Sequence, residues 1–250
     1  METLSSTVAI ITGGSSGIGR EAAISLARLG AKVLITGRRQ SAIDAVCALS
    51  DNIRGLVADV AHVDDAKRSV DEVVRLWGRL DVLVNNAGAG GIMPLSEVTA
   101  ERINDIFSVN VVGPSLLAAA ALSHLRASRG AIINISSTYG HKAGPALSHY
   151  AASKAALEHL TRCWALELAA DGIRVNAIAA GPTESGALTG MMGLSVEQAE
   201  AIKSHERQMI PLKRRGEPAD IARWIAMLAE PGSAWVTGQV LSVDGGLSVA

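Results

Sequence analysis

The chain has 250 residues, 48% of them hydrophobic, with 25 glycines spread along its length, which suits one large α/β domain. Its 23 basic and 24 acidic residues interleave to a net charge of −1, leaving no electrostatic footprint for nucleic acid or an anionic membrane. The opening "METLSSTVAIITGG" puts an acid rather than a basic cluster before a short apolar run, and stretches such as "SLLAAAAL" fall short of the roughly 20 residues that cross a bilayer. The expectation is a soluble, cytoplasmic protein with small-molecule partners.

Short β-branched runs alternate with longer helical patterns. Strands are predicted at "TVAIIT" (7–12), "KVLIT" (32–36), "RGLVAD" (54–59), "DVLVN" (81–85), "AIINIS" (131–136), "RVNAIA" (174–179) and "QVLSV" (239–243). These runs are too apolar for half-exposed strands. They imply an α/β fold with a doubly wound parallel sheet of about seven strands and helices on both faces. No repeat or linker interrupts the rhythm, so residues 1–250 read as a single domain.

After the first strand comes "TGGSSGIGR", where Gly13, Gly17 and Gly19 allow a tight turn and a close approach of backbone to a pyrophosphate at a helix amino end. Alone the spacing is weak evidence, but its place between strand and helix strengthens it. The second strand ends in "VLITGRRQ". A carboxylate for a ribose 2′-hydroxyl is usual there, and Gly37, Arg38 and Arg39 stand in its place, which points to NADP(H) in preference to NAD(H). Ser15 is a further donor to a 2′-phosphate. The alternative is that one arginine stacks on adenine while the other is solvated. Asp59, at the end of the third strand, would hold the adenine amino group with either cofactor.

The fourth strand leads into "LVNNAGAGG", where Asn85 and Asn86 can tie strand ends together and Ala87 and Gly88 leave room for a ring system. Asn110 lies in an otherwise apolar helix, where it would be costly to bury unpaired. Ser137 closes the fifth strand and can donate a hydrogen bond to a substrate oxygen as negative charge develops there. Four residues separate Tyr150, one of only two tyrosines, from Lys154, so phenol and ammonium share a helix face. Moving a phenol from about 10 to about 7 takes roughly 4 kcal/mol. An ammonium about 4 Å away at an effective dielectric near 20 supplies on the order of 4 kcal/mol. A surface pair on an alanine-rich helix is the competing explanation.

Residues 181–218 break the alternation at a strand end and are predicted to form a lid. Its Leu188, Met191, Met192 and Leu194 suit a non-polar substrate body, or else pack the lid onto the domain. Cys47 and Cys163 read as small core residues, and the six histidines show no metal-ligand spacing. Tyr139, His141 and His149 join Met191 and Met192 as candidates for contact with substrate.

Taken together, "TGGSSGIG", "NNAG", Asn110 in "SVNVVG", "NISS", "YAASK" and "VDGG" at 243–246 resemble, in order and over essentially the whole chain, the short-chain dehydrogenase/reductase family, and within it the 3-oxoacyl-[acyl-carrier-protein] reductase-like members. The resemblance implies a Rossmann-type domain, a nicotinamide cofactor, a homotetramer, and a ketone or secondary alcohol as substrate. It implies a catalytic group of Asn110, Ser137, Tyr150 and Lys154, with Asn110 holding a water that passes protons to Lys154 and Lys154 also holding the nicotinamide ribose. The implied cofactor contacts are Gly13, Ser15, Ser16, Gly17, Ile18, Gly19, Arg38, Arg39, Asp59, Val60, Asn86, Ala87, Gly88, Tyr150, Lys154, Gly181 and Thr183. Two departures stand out: the family's Pro-Gly is Ala180-Gly181 here, and its threonine four residues beyond that glycine is Ser185. A non-catalytic dinucleotide sensor or scaffold is the alternative function, and it would need only the glycine loop.

Overall fold

The structure, a computed structural model, describes residues 3–250; the acidic start at Glu2 lies outside the described residues. Seven parallel strands form one sheet: β1 (Val8–Thr12), β2 (Lys32–Gly37), β3 (Ile53–Val57), β4 (Val82–Asn85), β5 (Ala131–Ser137), β6 (Arg174–Ala180) and β7 (Val240–Val243). Their order is β3-β2-β1-β4-β5-β6-β7. Chain order reverses between β1 and β4, and a crevice opens there at the carboxyl ends of the strands.

Successive strand residues face opposite sides of the sheet, and the two sides bury different sets. Ile11, Ile35, Val84, Ile133 and Ile178 pack beneath helices α1 (Gly17–Arg28) and α8, a later helix at Pro218–Ala229. Ile10, Leu34, Leu83, Ile132 and Val175 face α3 (Val63–Trp77), α5 (Gly113–Ser128) and α6 (Ser148–Leu168). The short helices α2 (Gln40–Cys47) and α4 (Ala100–Phe107) and the later helix α7 (Val196–Met209) complete the set.

Three expectations are corrected. β3 stops at Val57, and only its Ile53 is fully buried, while β7 has no fully buried residue. Both are sheet edges with one neighbour each, so their outer residues meet solvent. Asp59 consequently lies beyond β3, its N–H held by the Asp65 carboxylate at 2.7 Å. The third correction concerns length: α4, a π-helical turn at Ser108–Val112 and α5 join into one helical run, Ala100–Ser128, long and apolar enough by composition to cross a membrane. Its Leu117, Ala118, Ala121 and Leu125 are nonetheless buried in the core against the sheet.

Beyond β6 the segment 181–218 contains a π-helical turn at Ala187–Met191 and then α7, which opens with a reciprocal cap between Ser195 and Gln198. Thr183 bridges to Gly216, closing the excursion at its base. Arg215, 4% exposed, lies in that base among Glu184, Glu206 and the Thr183 carbonyl.

Candidate active site

The glycine loop and the segment after β4 are stitched to one another. Thr12 Oγ1 accepts from the N–H groups of Asn86 and Ala87, both at 3.0 Å, and the Asn86 amide donates to the Thr12 carbonyl at 2.8 Å. The Asn86 side chain is therefore spent on holding the two loops together, which leaves its backbone, Ala87 and Gly88 to face a ligand. Asn85 donates to Asn134 at 2.8 Å, and Asn134 in turn to Thr161 on α6 at 2.9 Å, a buried polar ladder joining β4, β5 and helix. Gly13 and Gly17 take positive φ, 64° and 53°, which few side chains tolerate.

These residues fit a dinucleotide diphosphate. Ser16 caps α1 by position but makes no side-chain cap bond, and the first turn carries no acid, so the N–H groups around Ile18 and Gly19 keep their attraction for an anion. A Cβ at Gly17 would come within 3.2 Å of Ser185, which places the start of the segment 181–218 against this loop. A Cβ at Gly37 would lie 3.1 Å from Ser15 Oγ, so the hydroxyl stands at the end of β2 beside Arg38 and Arg39. Both arginines are exposed, and among the described residues neither side chain has an ion-pair or hydrogen-bond partner. A narrow cleft lined by Thr36, Asp59, Val60 and Gly113 continues the site away from the crevice. Gly181 donates to the Val243 carbonyl at 3.0 Å, and the Thr183 hydroxyl turns back onto Gly181 at 2.9 Å. With alanine in place of the family's proline, residue 180 keeps an N–H, and β6 stays paired to Ser137 through Ala180.

The four residues of the expected catalytic group are all buried: Asn110, Ser137, Tyr150 and Lys154. Asn110, in the π-helical turn, accepts from Ala89 N–H and donates to the Ala89 carbonyl, each at 2.8 Å, and donates its second proton to Ser153 at 2.9 Å. Both amide protons are committed, so only a second lone pair on Oδ1 is free for a water. Ser153 donates to the Tyr150 carbonyl at 2.7 Å, tying the π turn to α6. Lys154 Nζ donates to the Ile135 carbonyl at 2.8 Å and sits 6.0 Å from the centre of the Tyr150 ring.

Burial acts on both groups of this pair. Burial pushes the Tyr150 phenol above its ordinary value, and the Ser137 hydroxyl only partly opposes it. Burial brings Lys154 down to about 8, with Glu158 opposing. Desolvation is the largest cause of both shifts, and it favours the neutral form of each group.

The segment 181–218 reaches the same place. A Cβ at Gly88 would lie 3.6 Å from Lys154 Nζ and 3.8 Å from Met191 Sδ, and one at Gly90 would be 3.0 Å from both the Tyr150 ring and Met192 Cε. Tyr139 is near enough to raise Tyr150 further, and its N–H donates to Ser137 Oγ at 3.2 Å. The two histidines are not brought in. His141 turns its ring to Glu158 at 3.2 Å and Ser242 at 3.3 Å. His149 has its one ring contact with the neighbouring Ser148, about 100° around the helix from Tyr150. Sequence reasoning missed Ser153, Asn134 and Glu158; the last stands four residues beyond Lys154, the same spacing that had marked Tyr150.

Residues 13–248 match a family model described as enoyl-(acyl carrier protein) reductase. An uncharacterised oxidoreductase of Mycobacterium tuberculosis is 38% identical, the match covering 99% of this chain and 94% of that protein. The crystal structure of a 3-ketoacyl-(acyl-carrier-protein) reductase from Brucella melitensis complexed with NADH superposes with a TM-score of 0.92 at 32% identity, covering 98% of this chain and 100% of that one. A Caenorhabditis elegans short-chain dehydrogenase/reductase of unknown function, solved with cofactor, gives 0.92 at 33% identity over 99% and 97% of the two chains.

Burying a lysine that titrates near 8 has a measurable consequence for stability. Its folded value lies below the unfolded one, so the charge is penalised at pH 7 and the penalty fades as pH rises from about 8 toward 10.5. Lys154→Met, which keeps the bulk and drops the charge, is expected to raise the unfolding free energy at pH 7 by about 1–3 kcal/mol. Urea unfolding at pH 7 and pH 10 reads it: the variant's advantage should shrink at the higher pH, and a variant less stable at pH 7 would contradict the assignment.

Proposed function

The chain belongs to the short-chain dehydrogenase/reductase family, and from that membership we propose how its own residues divide the work. It is an NAD(P)-dependent oxidoreductase acting on a ketone or secondary alcohol. The observation that carries the proposal is the desolvated Tyr150 phenol, beside Ser137 and one helical turn from Lys154. A sensor or scaffold would have no use for this buried group.

A nicotinamide dinucleotide, when bound, supplies the hydride in reduction and takes it up in oxidation. In reduction the Tyr150 O–H gives its proton to the substrate oxygen, while the Ser137 hydroxyl donates a second hydrogen bond to the charge growing there. A phenol held above its ordinary value by burial is protonated at neutral pH, the form that donates in carbonyl reduction. The phenolate left behind forms near the Lys154 ammonium, which is mostly protonated at pH 7 because its value is about 8. Met191 and Met192 close over Gly88 and Gly90, excluding water and offering an apolar wall to the substrate. Across a panel of carbonyl compounds, apolar ketones should show higher kcat/KM than sugars. Tyr150→Phe should bind cofactor normally yet lose about 10²–10⁴ of turnover. Near-normal turnover in that variant would remove the acid role.

NADP(H) is the preferred cofactor in this reading. Gly37 stands where a carboxylate is usual, with the Ser15 hydroxyl beside it and the exposed Arg38 and Arg39 next in the chain. One charge-assisted contact of about 1.5–3 kcal/mol corresponds to roughly ten- to a hundredfold in affinity. Arg38→Ala should lose most of the preference for NADPH and leave NADH turnover largely intact; equal kcat/KM for the two cofactors in the wild type would count against it.

A homotetramer completes the proposal. α6 leaves Leu166 84% exposed, and the helical turn before α5 leaves Val112 46% exposed, so the outer faces of these helices suit pairing with a second copy across a two-fold axis. Light scattering at micromolar concentration should give four times the 25.8 kDa of the chain. A monomer mass would refute the assembly.

A further inference from the structure

α6 carries a third polar residue in line with Tyr150 and Lys154. Glu158 follows Lys154 by four positions, so the three share one face of the helix, and it is only 3% exposed. A carboxylate so buried needs partners, and it has them. Ser136 Oγ donates to Oε1 at 2.8 Å, and His141 Nδ1 lies 3.2 Å from the same oxygen. A methyl group at position 140 would overlap Oε1, so Gly140 makes the space in which the carboxylate sits.

We propose that Glu158 is a positioning residue for the reductase reaction: a buried carboxylate, fixed by Ser136, His141 and the gap at Gly140, that keeps Lys154 in its ammonium form beneath the reacting phenol. The inference rests on the reading of Tyr150 as the proton donor. Its physical basis is the imbalance at Lys154, whose one hydrogen-bond acceptor, the Ile135 carbonyl, is neutral. Glu158 is the charged group that opposes the loss of the proton there.

The other titratable groups around Glu158 do not substitute for it. The turn after β5 brings Tyr139, His141 and Lys142, and Lys142 is turned away to the Ala250 carbonyl at 2.7 Å. β5 contributes only the neutral Ser136 and Ser137 at this end. β6 carries Arg174 at its opposite end. Past β7 the Asp244 carboxylate is occupied by Thr138 at 3.1 Å and by the N–H groups of Gly246 and Ser248. His141 touches Glu158 and is partly exposed, so it links the buried carboxylate to solvent.

The test reads Lys154 directly. Protein labelled at lysine ¹³Cε is titrated, with the Lys154 resonance assigned by its loss in Lys154→Arg. In the wild type the midpoint should lie near 8. Glu158→Gln, which keeps shape and drops charge, should lower it by about one unit or more, and Glu158→Asp should fall between the two. The alkaline limb of kcat/KM for ketone reduction should move to lower pH in the same order. A purely structural role would lower activity and leave the midpoint unmoved. Equal midpoints in wild type and Glu158→Gln overturn the proposal; if that variant does not fold, equal midpoints in wild type and Glu158→Asp do so. The titration needs no turnover, so an inactive wild type would sink the reading of the reaction and leave this inference to be decided by the resonance alone.

Discussion

A lysine ammonium removed from water is the constraint around which this site is arranged. Lys154 is 4% exposed in a helix otherwise rich in alanine, and an unpartnered charge there would lose several kcal/mol of solvation. The Ile135 carbonyl, at the last turns of β5, accepts one of its three protons. β5 must therefore end where it does, and α6 must lie close enough for the side chain to reach back to it. The ladder from Asn85 through Asn134 to Thr161 enforces that distance, because each amide is buried and would be left unpaired by a shift of helix against sheet.

The parallel sheet accounts for why the parts meet at one end. Every strand runs the same way, so the segments leaving β1, β2, β4, β5 and β6 all emerge at the carboxyl end of the sheet. Those segments carry the glycine loop, the two arginines, the Asn86 loop, Ser137 and Gly181 in turn. Thr12 converts this neighbourhood into a fixed distance. Its hydroxyl receives two N–H groups from the segment after β4, so the loop that would cradle phosphate and the loop that would face the ring cannot move apart independently.

Much of this could be read before any coordinates. Continuous apolar runs separated by helical patterns gave all seven strands, because a strand covered on both faces has no solvent side to mark by polarity. The edges were less legible: the run at β3 carries Arg54 and Gly55 and that at β7 carries Ser242, but composition alone does not say how many neighbours a strand has. The i, i+4 pairing of Tyr150 and Lys154 was visible as spacing, whereas their 6.0 Å separation depends on Lys154 turning to the Ile135 carbonyl, a contact between residues 19 apart. Burial dominates the phenol's acidity for the same reason, since desolvation is a property of the packed state. His141 looked close to the site along the chain; its ring is drawn instead to Glu158, a partner visible only once the turn after β5 is folded against α6.

Asn110 shows how one polar side chain can organise the rest. Residues 106, 110, 113, 114 and 117 form the buried stripe of the helical run, and among Ile106, Gly113, Pro114 and Leu117 the asparagine is the polar member. Placed in a π-helical turn, it pairs with both the N–H and the carbonyl of Ala89, as a neighbouring strand would. Ala89 lies in a segment without regular structure, so this side chain supplies the hydrogen bonds that a sheet would otherwise give. On either side of Ala89 are Gly88 and Gly90, against which Lys154, Tyr150, Met191 and Met192 come to rest. A short amide in the wrong place for a core thus fixes the floor on which Tyr150, Lys154, Met191 and Met192 all meet.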